Sequence, residues 1–480
     1  MKKSKTPLLI YFFLLLTTVC KSQKSMDSVY MLPDSVVAFS LDEFYGIVLK
    51  YHPLAKQAGL LNEMALQEIR MARGAFDPKV NLGVDRKDFE DKTYYDKLEG
   101  NLSIPTWFPI NPKIGFENNS GQFLNNSEVV PGERQMYAGI HVPIGKGLLT
   151  DERRTALQQA RLAQTMAEAD QVKLINKLLL DAVKDYWTWY HAYYNFRLMN
   201  RATTIAADIF RRVKIDYSFG EAAVIDTVQA NITLQTRMVE MQEALLLFQN
   251  SGITLSNYLW SENDEPLQIS LNVAPVLNRT ETSLLDEQTV QSLTEMAREN
   301  HPELVKIRTK ISQLELDNRL AREFLKPQLD LSYAVLSRTD PASVNFSDDY
   351  KFGLDFSIPI FLRKERSKFA LTKLKIQETK FTQTQTEREI INRVNSTFNQ
   401  ITNTTTIISQ LSTTVDLYDR ILTAELLNLE NGESDLFKIN IQQEKLVQSQ
   451  SKLLKATAEY QKMKASLYWA AGIRNLNLEN

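Results

Sequence analysis

The stretch INKLLLDAVKDYWTWYHAYYNF, residues 175–196, decides the fold. Its positions Ile175, Leu179, Ala182, Tyr186, Trp189, Tyr193 and Phe196 alternate steps of four and three, the heptad pattern of a coiled-coil seam. Working outward, neither Pro nor Gly interrupts the helical pattern from about Leu148 to Tyr217. At 1.5 Å per residue that arm is roughly 100 Å long, far beyond the three-turn helices of ordinary domains. A strand ends before it at Pro143, a turn sits at Gly220, and a second helix returns to Trp260. The same design recurs after Ile358-Pro359, with a helical run to about Glu430, a turn at Gly432 and a return helix to Ala470. A chain that makes this object twice builds a long tube or rod.

The repeat extends upstream of the hairpins. Ser40 and Glu43 form a capping box that opens a short helix to about Leu49, His52-Pro53 breaks it, and a second helix runs to about Arg73 before Gly74 and Pro78. In the second half a helix from about Glu287 stops at His301-Pro302, and another continues to about Phe324 before Pro327. His52-Pro53 and His301-Pro302, Ala72-Arg73 and Ala321-Arg322, and Pro78 and Pro327 all lie 249 residues apart. Three anchors at one offset mark an internal duplication.

After each of these prolines the period changes from 3.6 to 2. Val80, Leu82 and Val84 alternate with polar residues, as do Leu329, Leu331, Tyr333 and Val335. The returning strands carry Met136, Ala138, Ile140, Val142 and Ile144 in one half and Tyr350, Phe352, Leu354, Phe356, Ile358 and Ile360 in the other. Such dyads suit a half-buried soluble strand or a lipid-out, water-in strand. The neighbouring helices commit their apolar faces to coiled coils, so no covering layer is left and the lipid reading is favoured. Asn118, Asn119, Ser120, Gly121 and Pro131, and Asp340, Pro341, Asp348 and Asp349, read as exposed turns. The first strand region is 33 residues longer (Pro78 to Pro143 against Pro327 to Pro359), and its further alternating stretches, 98–104 and 113–117, read as an extra hairpin on the outer side. Four principal strands cannot stand alone in lipid, because their edges would leave backbone groups unsatisfied. Closure therefore calls for partner copies.

Composition excludes several classes. The 480 residues are 43% hydrophobic and 24% charged with a net charge of −2, and the basic residues are dispersed, which gives no case for nucleic acid. Lys2, Lys3 and Lys5 precede an apolar core, Leu8 to Val19, as in a secretory signal. Removing residues 1–22 takes four lysines and no acids, leaving a mature charge near −6 (−2 minus 4). Cys20, the one cysteine, rules out an intramolecular disulfide and raises lipid attachment, although Val19 is a poor residue before a lipidated cysteine and simple cleavage near Ser22 competes. No later apolar run is long enough for a membrane helix.

Recognisable catalytic or metal chemistry is missing: His52, His141, His191 and His301 are scattered, and no cofactor motif is present. His52 and His301 read as structural residues at helix breaks. Trp187, Trp189, Tyr190, Tyr193 and Tyr194 form an aromatic girdle, read as packing in preference to a ligand surface. The helix over 364–430 keeps a seam at Ile391, Val394, Phe398, Ile401 and Ile408. Its uncharged polar residues, Thr382, Gln383, Thr384, Gln385, Asn392, Asn395, Asn399, Gln400, Asn403 and Thr404, suit either a water-filled lumen or a solvated outer face.

Paired halves of helix, strand, strand, long helix, tight turn and return helix resemble the TolC-like outer-membrane efflux proteins from about Ser40 to Gly472. The most specific motif is Tyr217-Ser218-Phe219-Gly220 followed by Asp226, similar to the family's tip pattern of aromatic, two residues, Gly, then Asp six further on. The second turn keeps Gly432 but has Leu429 and Lys438 in place of the aromatic and the Asp. The resemblance implies a mainly α, α+β fold: duplicated helical hairpins forming an α-barrel, topped by a joint trimeric transmembrane β-barrel of twelve strands. It implies a non-enzymatic, cofactor-free duct in the outer membrane of a Gram-negative bacterium, with its helical tunnel in the periplasm. The cargo would come from an inner-membrane transporter of the RND, ABC or MFS type through a periplasmic adaptor, in efflux or type I secretion. Adaptor docking would fall to the tips, Tyr217, Phe219, Gly220 and Glu221 with Asn431, Gly432 and Glu433. An entrance gate would fall to Asp226 and Lys438, with Arg211 or Arg212. The competing readings are a periplasmic adaptor, which needs only one hairpin, and a structural coiled-coil protein, which needs no strands. The chain divides into a signal (1–22), an irregular arm (23–39), a first repeat (40–260, strands within 79–144, hairpin 148–260), a linker (261–283), a second repeat (284–472, strands within 328–360, hairpin 363–470) and a tail (473–480).

Overall fold

The structure, a computed structural model, describes residues 37–130, 132, 134–270, 272–276, 286–338, 348–431 and 433–473. The signal with Cys20, most of the arm, Pro131, Asp340, Pro341, Gly432 and most of the tail lie outside the described residues. In chain order the first half comprises β1 (Val37–Phe39), α1 (Leu41–Tyr51), α2 (Pro53–Arg73), β2 (Lys79–Phe89), β3 (Lys92–Ser103), β4 (Asn111–Ser120), β5 (Arg134–Pro143), α3 (Glu152–Ser218) and α4 (Val224–Ser256). After β6 (Val273–Pro275) the pattern returns as α5 (Glu287–Asn300), α6 (Pro302–Glu323), β7 (Gln328–Ser337), β8 (Tyr350–Ser357), α7 (Arg363–Glu430) and α8 (Leu436–Ala470).

The helix boundaries follow from local chemistry. The Ser40 hydroxyl accepts the Glu43 N–H while the Glu43 carboxylate accepts the Ser40 N–H, closing the capping box. At the two breaks, His52 Nδ1 accepts the Leu54 N–H at 3.1 Å and His301 Nδ1 accepts the Glu303 N–H at 3.2 Å. Each following proline takes the first helical position, where a missing N–H costs nothing. Both histidines are structural, as their sequence context implied.

The long helices α3 and α7 run for 67 and 68 residues. Between Leu178 and Tyr194, α3 is buried on almost every side, because α1, α4, α8 and the strands β1 and β6 all pack there. Trp189 is 1% exposed and stands edge-on to Phe39 and Tyr186. The girdle is therefore core. β1 and β6 form a small parallel sheet that the sequence left as arm and linker, since three residues cannot display a period. Tyrosines fasten it: Tyr186 Oη donates to the Phe39 carbonyl at 2.8 Å and Tyr194 Oη to the Pro275 carbonyl at 3.2 Å. Along α7 the buried positions Ile390, Val394, Thr397, Ile401, Thr404 and Ile408 keep the four-three rhythm, with Ile408 only partly buried. The seam thus enters at Ile390 instead of Ile391, and Thr404 belongs to it. Its hydroxyl finds the Met463 sulfur at 3.5 Å, so the methyl can pack without stranding a polar group.

The largest departure from expectation is in the sheet. One antiparallel sheet of six strands runs β2-β3-β4-β5-β7-β8. The stretches read as an outer hairpin are β3 and β4, and they sit between β2 and β5, paired along their length with both save for one register shift at Lys87 and Asp88. Among the described residues each chain therefore brings six strands to this sheet, and a count of four is corrected. The polar positions Glu99, Asn101, Glu117 and Asn119 made these stretches look peripheral; they occupy one face of a two-faced strand. Asn118 to Ser120 likewise belong to β4, not to a loop, and Asn119 is buried with its amide donating to the Glu128 carbonyl at 3.0 Å. The β2–β3 connection is a two-residue turn with Glu90 and Asp91 both at positive φ, 52° and 57°, the handedness that suits twisted strands.

Candidate membrane sheet and helical tips

The cross-strand register sorts the sheet into two faces. Val80, Leu82 and Val84 lie in the same rows as Leu102, Gly100 and Leu98, then Ile114 and Phe116, then Ala138 and Met136. The Val80 row continues through Val335 to Tyr350, and the same face carries the rows Ile140, Tyr333 and Phe352, and Val142, Leu331 and Leu354. Val80, Leu82, Val84, Ile114, Ile140, Phe352, Leu354 and Phe356 on this face are exposed, while the residues of its middle strands are mostly half-buried. A ten-residue strand tilted by about 40° rises about 25 Å, the height of a lipid-facing band.

The opposite face is polar. Asn81 and Asn101 pair at 2.9 Å, and Glu99 accepts from Tyr137 Oη at 3.2 Å with Lys113 at 3.7 Å. Lys97 meets Glu128 at 2.6 Å. Aromatics flank the band. Phe89, Tyr94 and Phe123 gather at the turn end, and Trp107, Phe108 and Phe361 lie at the helix end, where Trp107 packs on Phe76. Their position matches the interfacial girdles of membrane barrels. The sequence reading missed these girdles; the signal was aromatic residues bracketing each dyad. No described helix is long and apolar enough to cross a membrane.

At the far end of the hairpins, α3 reverses through a Schellman turn. The Glu221 N–H donates to the Asp216 carbonyl at 2.9 Å and the Gly220 N–H to the Tyr217 carbonyl at 3.0 Å. Gly220 sits at φ 79°, and a Cβ there would meet nothing within 4 Å, so the requirement is for backbone handedness and not for space. The second tip repeats the outer bond: the Glu433 N–H donates to the Asn428 carbonyl at 2.8 Å, past Asn431 as the last half-helical residue. Tyr217, Phe219, Val224 and Ile225 in one tip and Phe437 in the other expose large apolar surface.

The expected gate residues are equivalent in position but engaged within their own hairpins. The Asp226 carboxylate accepts the Ala223 N–H at 2.9 Å and caps α4. Lys438 lies 3.9 Å from Asp435, whose carboxylate also accepts the Lys438 N–H at 2.8 Å. Arg211 pairs with Asp208 one turn away, and Arg212 is exposed. Within one chain these four residues are not brought together.

A second feature escaped the sequence reading. Ile225, Ile232, Val239, Leu246 and Ile253 fall at seven-residue steps along α4, and each is between 56% and 68% exposed. The face that α4 turns to α3 is a different heptad row, Ala230, Arg237, Ala244 and Ser251. The exposed row is thus a coiled-coil stripe without a partner among the described residues of its own chain. Exact heptad spacing was the signal. Among the described residues, no cluster of three or more His, Cys, Asp or Glu could hold a metal ion.

Residues 293–473 match the sequence model of the outer membrane efflux protein family. No curated protein sequence matches closely enough to add a relative. Among solved structures, the chain is similar to the outer membrane channel CmeC of Campylobacter jejuni, at 15% identity over 90% of this chain and 85% of that one, with a TM-score of 0.63. It is similar to the outer membrane protein VceC of Vibrio cholerae, at 13% identity over 90% and 96%, with a TM-score of 0.62. The open state of the MtrE outer membrane channel of Neisseria gonorrhoeae aligns at 14% identity over 90% and 88%, with a TM-score of 0.59. The second half of the chain thus matches the outer membrane efflux protein family in sequence, and both halves share the fold of these outer membrane channels.

Proposed function

We propose that the chain is the outer-membrane duct of a multi-part export machine, three copies closing one barrel above one helical tunnel. Cargo would pass through it passively, supplied by an inner-membrane pump and handed over by a periplasmic adaptor at the hairpin tips. The observation that carries this reading is the six-stranded sheet with an exposed apolar face, a polar face and two open edges, rooted on helices about 100 Å long. A sheet of that kind is satisfied in lipid only when its edges are paired. The unpartnered heptad stripe on α4 supports closure at the helical level as well, and the exposed aromatics at the tips supply an apolar docking surface.

Purified protein reconstituted in a planar bilayer tests the reading. Discrete conductance steps that persist without any energy source are expected. A protein that partitions into detergent yet never conducts would contradict it.

A further inference from the structure

The internal duplication specifies how neighbouring chains pair, and with it the size of the barrel. Inside one chain the two halves meet where β5 runs antiparallel to β7, with Ile140 opposite Tyr333 and Val142 opposite Leu331. The start of β2 is equivalent to the start of β7 at an offset of 249, set by Pro78 and Pro327. The end of β8 is equivalent to the end of β5 at an offset of 216, set by His141-Val142-Pro143-Ile144 and Ser357-Ile358-Pro359-Ile360. Carried through these offsets, Tyr333 becomes Val84 (333 − 249) and Ile140 becomes Phe356 (140 + 216). Resting on the duct reading above, we propose that β8 of one chain pairs with β2 of the next with Phe356 opposite Val84, closing three six-stranded sheets into one eighteen-stranded barrel.

The apolar pattern of the two edges agrees with this register. It places Ile358 opposite Leu82 and Phe356 opposite Val84, so apolar side chains share one face, while Ser357 meets Gly83 on the polar face, where Asp355 opposite Asp85 is a like-charge cost borne in the water-filled lumen. A slip of one residue would put Val84 on the face of Ser357 and break the band at every seam. A slip of two keeps the faces but loses the equivalence with the β5–β7 junction. The β3–β4 hairpin cannot be spared from the wall, because its residues complete the apolar rows from Val80 to Ala138 and from Leu82 to Met136. Eighteen strands enclose a wider lumen than twelve, since barrel diameter grows with strand number.

Paired cysteines in the full-length protein test both parts. Val84→Cys with Phe356→Cys should give covalent dimers and trimers on non-reducing gels after mild oxidation, and each single variant should not. Val84→Cys with Leu354→Cys, shifted by two, should cross-link much less. A twelve-stranded wall that expelled β3 and β4 would instead place Val84 beside Met136, as Tyr333 lies beside Phe352. In the eighteen-stranded barrel these positions are three strands, about 14 Å, apart. Efficient intrachain bonding of Val84→Cys with Met136→Cys, or preferential bonding of the shifted pair, would overturn the proposal. Neither result would touch the duct reading, which the same variants report separately by conducting in a bilayer.

Discussion

His52 and His301, 249 residues apart in sequence, do the same work in the structure: each turns its Nδ1 to the N–H two residues on and caps the helix that the next proline begins. Accepting that bond requires a neutral imidazole. Burial, reinforced by Arg393 and Lys173 and opposed by Glu303, lowers the His301 pKa to about 4 from an ordinary value of 6.5. Burial also lowers that of His52.

The sign of the pH dependence follows. Between about pH 6.5 and about 4 the unfolded chain binds a proton at position 301 that the folded chain refuses, so stability falls as acid is added across that window. The loss at its lower end is up to about 3 kcal/mol per chain. His301→Asn keeps a cap acceptor and removes the titration. Thermal melts of the detergent-solubilised protein at pH 7.5 and 4.5 should show a smaller acid shift for the variant than for the wild type.

Gly220→Leu should cost about 1–2 kcal/mol, because a branched side chain must adopt the left-handed conformation that closes the α3 tip. Gly220→Asn should cost less, since Asn tolerates that region. Export in cells, read as resistance or secretion, should fall with Leu at this position while the amount of assembled protein changes little. Unchanged export with bulky residues at both Gly220 and Gly432 would remove the tips from the docking role.

Trp189→Ala should destabilise by about 3–5 kcal/mol, the cost of truncating a fully buried aromatic. Chemical unfolding measures the loss directly. Since the side chain packs on Phe39 and Tyr186, the small β1–β6 sheet should exchange its amide protons faster in the same variant.

Much of the architecture was legible because long periods advertise themselves. The heptad of α3 and the 249-residue offset needed only counting. The dyads of β5 and β8 were clear for the same reason, five or six apolar residues in strict alternation. The middle strands were harder. In β3, Gly100 stands where the apolar row needs a side chain, and the Phe116 ring covers it from the next strand, so the row is completed across strands and not along one. β1 and β6 were invisible, because Tyr186 and Tyr194 reach them from 147 and 81 residues away. At the tips the Gly positions could be read, while the local pairing of Lys438 with Asp435 could not be weighed against a contact from another chain.

That pairing bears on the entrance. We hypothesise that Asp226 and Lys438, placed at equivalent depths by the repeat, face one another around the assembled ring and help hold it closed, with Arg211 and Arg212 adding charge one turn deeper. Asp226→Asn retains an acceptor for the Ala223 N–H, so its effect reports on charge more than on the cap. Asp226→Asn and Lys438→Gln should each raise the open probability in a planar bilayer, and the double variant should add little. Unchanged conductance in both single variants would mean that each side chain serves only its own hairpin, where an exposed pair contributes at most about 1 kcal/mol.

The central claim is that one chain makes only part of a wall and that closure needs copies of itself. The mass of the protein particle in detergent, with the bound detergent subtracted, tests it most directly. A single well-folded species with the mass of three chains is the predicted result. A well-folded, monodisperse monomer, with the edges of β2 and β8 unpaired, would contradict the account.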